Sequence, residues 1–285
     1  MKTKIVKSLK NYFIFIFLIF KIFNPAYSYH DTNAGSHSDK FMYNYMYPIL
    51  KNIVNKNDPT TYEDVKFIKK ETRNTWDHRY GDWNLYEANF YVFDAKFQLG
   101  NDVKVFINSE FQTHEKIAEI AIKYSKMLGQ LPVFLKKEIR WIVIHGPWED
   151  KSKCTCRWYA DSRYPDNRGF YIHTEMVKKK EEQEVVIHEA AHLAVDTLYY
   201  GTKNHSIWTD AQIKDSIFIS KYAKKNPNRE DIAESIVAWI AVRCKKDRII
   251  KSAYKKIIKN IPNRIKIFDN YIFNNMSTYP LVCKK

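Results

Sequence analysis

Past its first 28 residues the chain has no apolar run long enough to span a bilayer, so a bundle of membrane helices is excluded. It has no internal repeat and no long low-complexity linker, so neither a solenoid nor a string of tethered modules is expected. Cysteine is scarce: Cys154, Cys156, Cys244 and Cys283 are the only ones. No second cysteine pair follows the C-x-C at zinc-finger spacing, so metal binding by that pair is the minor alternative. An even number of cysteines in an oxidising compartment points instead to two disulfides. A Cys154–Cys156 bridge would close a tiny ring, so each of the two is expected to take a distant partner.

What is present begins with a leader. MKTKIVKSLK is lysine-rich, YFIFIFLIF is a short greasy core, and Ala26 and Ser28 supply small residues near a cleavage point. That is the layout of a secretory signal peptide, with an uncleaved anchor as the lesser possibility. The expected mature chain starts near Tyr29, is exported, and keeps no membrane span. About 257 residues remain, ample for a real core. The formal net charge of +15 includes five leader lysines, so the mature chain carries about +10. A charge of that sign suits an acidic surface such as a polyanionic glycan. Lysines that alternate with acids, as in KKKEEQE, equally describe an ordinary solvated surface. The same two readings apply to the lysines of KKDRIIKSAYKKIIK, 245–259. No specific nucleic-acid contact is expected. Asn204-His-Ser and Asn275-Met-Ser are glycosylation sequons.

The patterning changes along the chain. Residues 37–55 suggest a helix with a break at Pro48. From 64 to 111, aromatic and β-branched stretches between turn signals predict two or three antiparallel strands. THEKIAEIAIKYSKMLGQLP predicts a helix ended by Pro132. IRWIVIHG, 139–146, and GFYIHTEM, 169–176, predict two further strands. Helices are then expected at 181–200, 208–224, 229–246 and 248–271, the last broken near Pro262. The fold class is α+β, strands first and helices after.

Within the first of those helices lies EEQEVVIHEAAHLAVD. Positions i and i+4 of a helix share a face, so His188 and His192 can present two imidazole nitrogens to one tetrahedral cation. Glu189 is rotated about one hundred degrees away, beside the metal but outside its ligand set. That spacing suits a general base acting on water. A chance H-E-x-x-H arises on the order of once per hundred such sequences, so a third ligand must support it. Val195 and Leu198 stand where a metzincin needs glycine and histidine, which excludes that class. His205, in GTKNHS, is one candidate. Glu230 is the stronger one, opening a helix after Asn226-Pro227, with Glu234 one turn on as the alternative ligand. Two histidines and one carboxylate leave a coordination position open for water, as catalysis requires.

His188-Glu189-x-x-His192, Asp196, Tyr222-Ala223 and Glu230-x-x-Ala233-Glu234 resemble the gluzincin pattern of zinc metallopeptidases, as in the anthrax lethal factor catalytic domain. The segments from IRWIVIHG to IPNRIKIFD also look like a group of secreted proteins with predicted metallopeptidase domains. The resemblance covers roughly residues 85–280 and is specific within 185–240. It implies a zincin-like fold in which His188, His192 and Glu230 hold one Zn2+ and Glu189 is the general base. Glu234 would then orient a ligand histidine, and Tyr222 would donate to the developing oxyanion. The stretch from Tyr222 to Glu230 is one residue longer than in lethal factor, which weakens the transfer of Tyr222's role. Tyr222 otherwise reads as a core aromatic closing the 208–224 helix.

The expected organisation is a signal peptide at 1–28, an N-terminal helix plus β-rich region at 29–111, and a zincin-like metallopeptidase domain at 112–285. The expected function is a secreted zinc-dependent peptidase acting on peptide or protein substrates. A catalytically silent zincin-fold protein that binds an acidic surface or host factor is the alternative, and a zinc hydrolase of non-peptide amides is a third. GFYIHTEM is expected to be an edge strand able to take an extended peptide, or else an interior strand with His173 as a core histidine and no metal role. Asp196, one turn beyond His192, is expected to bond the backbone and serve the structure, with orienting a neighbouring group as the alternative.

Overall fold

The computed structural model describes residues 40–44, 50, 52–80, 84–147, 158–164, 166–174, 178–179 and 181–284. The expected leader, together with Cys154 and Cys156, lies outside them.

Long alternating stretches build a six-stranded mixed sheet. Its strands are β2 (Tyr62–Trp76), β3 (Leu85–Phe97), β4 (Val103–Asn108), β5 (Trp141–His145), β6 (Tyr159–Asp161) and β7 (Gly169–His173), in the order β2-β3-β4-β5-β7-β6. The pairs β2/β3, β3/β4 and β6/β7 are antiparallel, whereas β4/β5 and β5/β7 are parallel. Side chains alternate between faces at period two. Val105, Ile107, Ile142, Ile144, Phe170 and Ile172 therefore face the helices in the main core, while Phe90, Val92, Phe106, Val143 and Tyr171 form a smaller cluster on the other face.

The helices are α1 (His114–Gly129), α2 (Val133–Lys136), α3 (Glu182–Ala194), α4 (Asp196–Tyr199), α5 (His205–Asp215), α6 (Lys221–Lys225), α7 (Asp231–Cys244), α8 (Lys251–Asn260) and α9 (Pro262–Asn275). The hydroxyl of Thr113 caps α1 by accepting from Lys116 N. Every residue of α3 except His192 is buried, and so is α7 from Asp231 to Val242. These two helices pack against each other and form the centre of the helical layer. The result is the zincin-like α+β arrangement, with a mixed sheet first and the H-E-x-x-H helix in a helical C-terminal half. Among the described residues, no helix is long and apolar enough to cross a membrane.

Three local expectations are corrected. Within 37–55 the described residues are not helical: Phe41–Tyr43 is a strand, β1, and 52–54 are turn and bend. β1 runs parallel to β8 (Phe218–Ser220), so its conformation is set by a partner far along the chain. The 208–224 helix is likewise interrupted. Ser216 takes a left-handed conformation (φ 50°) after α5, and β8 separates α5 from α6. Third, β7 is an interior strand, because β6 pairs along its other side.

Among the described residues a disulfide joins Cys244 to Cys283, so neither can serve Cys154 or Cys156 as a distant partner. Lys284 N donates to Arg243 O at 2.8 Å, which lays the C-terminal tail against the end of α7 and brings the two cysteines together.

Candidate metal centre

The helical period places His188 and His192 one turn apart on α3, and their Nε2 atoms lie 3.1 Å from each other. The third group arrives from the start of α7. A turn closed by Glu230 N donating to Asn226 O at 2.8 Å sets Glu230 immediately ahead of that helix. Glu230 Oε2 is 3.2 Å from His188 Nε2 and 3.3 Å from His192 Nε2. Ligands held tetrahedrally at about 2.0–2.1 Å from a zinc ion stand about 3.3 Å apart, so the triangle has the size zinc requires. Glu230 Oε2 is buried and receives no hydrogen bond of good geometry from either imidazole. Two imidazole nitrogens and one carboxylate oxygen converging at this spacing fit a cation once the imidazoles are neutral. Among the described residues, His188, His192 and Glu230 are the one group of three able to share an ion, and neither His205 nor Glu234 belongs to it.

Electrostatics bind the same groups together. Burial works against charge on Glu230, but the two facing imidazoles outweigh it and hold the carboxyl well below its usual range. Burial also opposes charge on His192, yet Asp196 and Glu230 raise it well above the ordinary histidine value. His188 is raised in the same way, chiefly by Glu230 against its own desolvation.

Glu189 follows His188 on α3 and is 7 % exposed. Burial raises its pKa against the pull of the two histidines and of the nearby Ala160 backbone on β6. The backbone of β6 therefore lies near the expected general base.

Asp196 takes the orienting role, the lesser of its two expected ones: its Oδ2 lies 2.5 Å from His192 Nδ1. Glu234 is one turn into α7 and deeply buried, and it feels the charge of His188. Burial pushes it up to about 7, while the charge of His188 and the nearby Ser220 hydroxyl oppose that rise. Tyr222 lies half-buried on α6, and its carbonyl accepts from Asn226 N at 3.1 Å. It therefore does not close a 208–224 helix. His173 is fully buried and stacks on His145 with ring centroids 5.2 Å apart, a core histidine as the interior position of β7 requires.

Sequence reasoning missed the support behind Glu230. Asp231 accepts from Trp208 Nε1 (3.1 Å), Gln212 Nε2 (2.9 Å) and Arg264 Nη1 (2.6 Å). Arg264 Nε also pairs with Asp215 at 3.0 Å, and the Arg264, Asp215 and Asp231 side chains are wholly buried. Tyr200 adds a brace: its hydroxyl donates to Pro227 O at 2.9 Å, inside the turn that delivers Glu230. Nothing local in the sequence marks Arg264 as the partner of Asp231.

No family model, no curated protein and no solved structure matches the chain.

Proposed function

We propose that the protein is a zinc peptidase of gluzincin type, similar in its pattern to the lethal factor catalytic domain, that hydrolyses internal peptide bonds. The observation that supports this most is the triangle of His188, His192 and Glu230 with edges of 3.1–3.3 Å, beside a buried Glu189 that is not part of it. His188, His192 and Glu230 hold the ion in this reading. A zinc ion bound there supplies Lewis acidity, polarising the scissile carbonyl and lowering the pKa of water towards neutrality. Glu189 accepts the proton of the attacking water and passes it to the leaving amine. Asp196 holds His192 in the tautomer that offers Nε2 to the ion, and Glu234 sets the field at His188. Tyr222 donates to the developing oxyanion.

The peptide-pairing strand in this proposal is β6, at the end of the sheet, rather than β7. The Ala160 backbone of β6 lies near Glu189, so a substrate strand paired along β6 runs past the general base. The signal-like leader makes the proposed setting extracellular, on the far side of a secretory membrane.

The test is paired. Glu189→Gln should retain one zinc per chain and lose peptide cleavage, whereas Glu230→Ala should lose zinc. A wild-type protein that binds zinc but cleaves no peptide, with no difference between it and Glu189→Gln, would favour a silent binding protein.

A further inference from the structure

We infer that Arg229 selects the substrate by binding a carboxylate carried close to the scissile bond; this rests on the peptidase reading above. Arg229 precedes the ligand Glu230, and its side chain is 64 % exposed beside a carboxylate that is 6 % exposed. Its Nε lies 3.5 Å from Glu230 Oε1. Its guanidinium carbon lies 6.0 Å from the ring centroid of Tyr159, on β6. The arginine therefore bridges from the metal-binding acid to the edge strand.

The register narrows the position it reads. Tyr159 directly precedes Ala160, whose backbone lies near Glu189. A peptide extended along β6 advances about 3.3 Å per residue, so side chains within about two positions of the attacked carbonyl pass the guanidinium. A flat guanidinium offers five N–H donors, stacks on an aromatic face and matches a carboxylate in a two-bond fork. The ion pair to Glu230 is long, and Glu230's charge is shared with an ion in the loaded protein. Arg229 thus keeps unmet capacity for an anion.

The surrounding sequence carries the same sign. KYAKKNPNR, 221–229, holds Lys221, Lys224, Lys225 and Arg229 and no acid, in the stretch of chain that leads to Glu230. The substrate class this implies is a peptide with aspartate or glutamate flanking the cleaved bond, or one whose free C-terminal carboxylate lies there.

The competing role is local, with Arg229 only steadying Glu230. Two measurements separate them. The zinc-loaded wild type and the Arg229→Ala variant are given a synthetic peptide mixture, prepared once with free C-termini and once amidated, and cleavage is read by mass spectrometry. Peptides differing only by Glu or Gln at the enriched position are then titrated onto zinc-loaded Glu189→Gln and Glu189→Gln/Arg229→Ala proteins, which reads binding without turnover.

We expect the wild type to favour acidic over amide side chains by about tenfold, the scale of a partly exposed charge-assisted pair. The ratio should fall to near one in Arg229→Ala, in both cleavage and binding, and invert towards lysine in Arg229→Glu. Cleavage confined to the ends of free-acid peptides and lost on amidation would identify the terminal carboxylate as the source. Cleavage with no acid preference, or with a preference that survives Arg229→Ala, overturns the assignment and leaves the peptidase standing. So does a variant that loses zinc and slows on all peptides alike with the ratio intact. A zinc-loaded wild type that cleaves nothing removes the peptidase reading and this inference with it.

Discussion

Asp196 Oδ2 sits 2.5 Å from Nδ1 of His192, while the other nitrogen of the same ring faces Glu230 at 3.3 Å. A neutral imidazole that donates through Nδ1 presents a lone pair at Nε2, so once a metal displaces the proton the aspartate decides which face of His192 the ion meets. Asp196→Asn keeps the size and removes the charge. It should weaken zinc binding by roughly 10–100-fold, the usual scale for such outer partners. Competition against a chromogenic chelator measures it, and a variant with wild-type affinity would show that Asp196 does not serve His192.

Arg264 lies on α9, remote in sequence from Glu230, yet it pairs with Asp231 at 2.6 Å and Asp215 at 3.0 Å with no solvent exposure. Removing one partner of a buried ion pair leaves an uncompensated charge and typically costs about 3–5 kcal/mol. Asp231→Ala should therefore lower the unfolding free energy of the metal-free protein on that scale in urea titrations. It should also reduce zinc affinity, because the turn delivering Glu230 loses its anchor. A destabilised Asp231→Ala protein with unchanged zinc affinity would separate the fold from the site.

Much of this site was legible because its signals are local. H-E-x-x-H depends only on the helical period, and Asn226-Pro227 before Glu230 marks a helix start. The misread pieces are those whose conformation comes from elsewhere. β1 and β8 are three residues each, too short to show a period, and each is a strand because the other is beside it. β6 is equally short and sits within a polar connection, so β7 took its place as the expected edge. Asp196 had the right spacing from His192, but only coordinates show the two side chains meeting.

Acid should destabilise the fold through two buried histidines. Burial lowers His78 from 6.5 to about 4, with His173 adding to the drop and Asp77 opposing it. Burial lowers His145 from 6.5 to about 3 against the pull of Asp77. Between these values and 6.5 the unfolded chain binds protons that the folded chain refuses. Stability is therefore lost as pH falls through that window, by up to about 1.4 kcal/mol per pH unit for each histidine. Urea titrations of metal-free protein at pH 6.5, 5.5 and 4.5 should show the decline, and His78→Gln should make it shallower.

Glu184 should act with the opposite sign. It lies one turn before His188, accepts from Ile53 N at 2.6 Å, and is pushed up by burial from 4.5 to about 7. Here the folded chain holds a proton that the unfolded chain releases, so stability is fullest below pH 4.5 and declines as pH rises to 7. Its removal in Glu184→Gln should flatten that decline, on the order of 2–3 kcal/mol across the window. A pH profile unchanged by the substitution would place the carboxyl in contact with water.

The Cys244–Cys283 bridge ties the C-terminal tail to the end of α7, the helix that Glu230 opens, across a sequence separation of 39. Closing a loop of that length removes chain entropy worth at most about 4 kcal/mol, and natural bridges usually contribute about 2–4. Cys283→Ser should lower the unfolding free energy by that amount, and a reductant should then have less left to remove. Zinc affinity should change little, because Glu230 stands at the opposite end of α7 and is anchored through Asp231 and Arg264. A large loss of zinc in Cys283→Ser would mean that α7 transmits strain along its whole length and that the buried aspartate–arginine pair is not its main anchor.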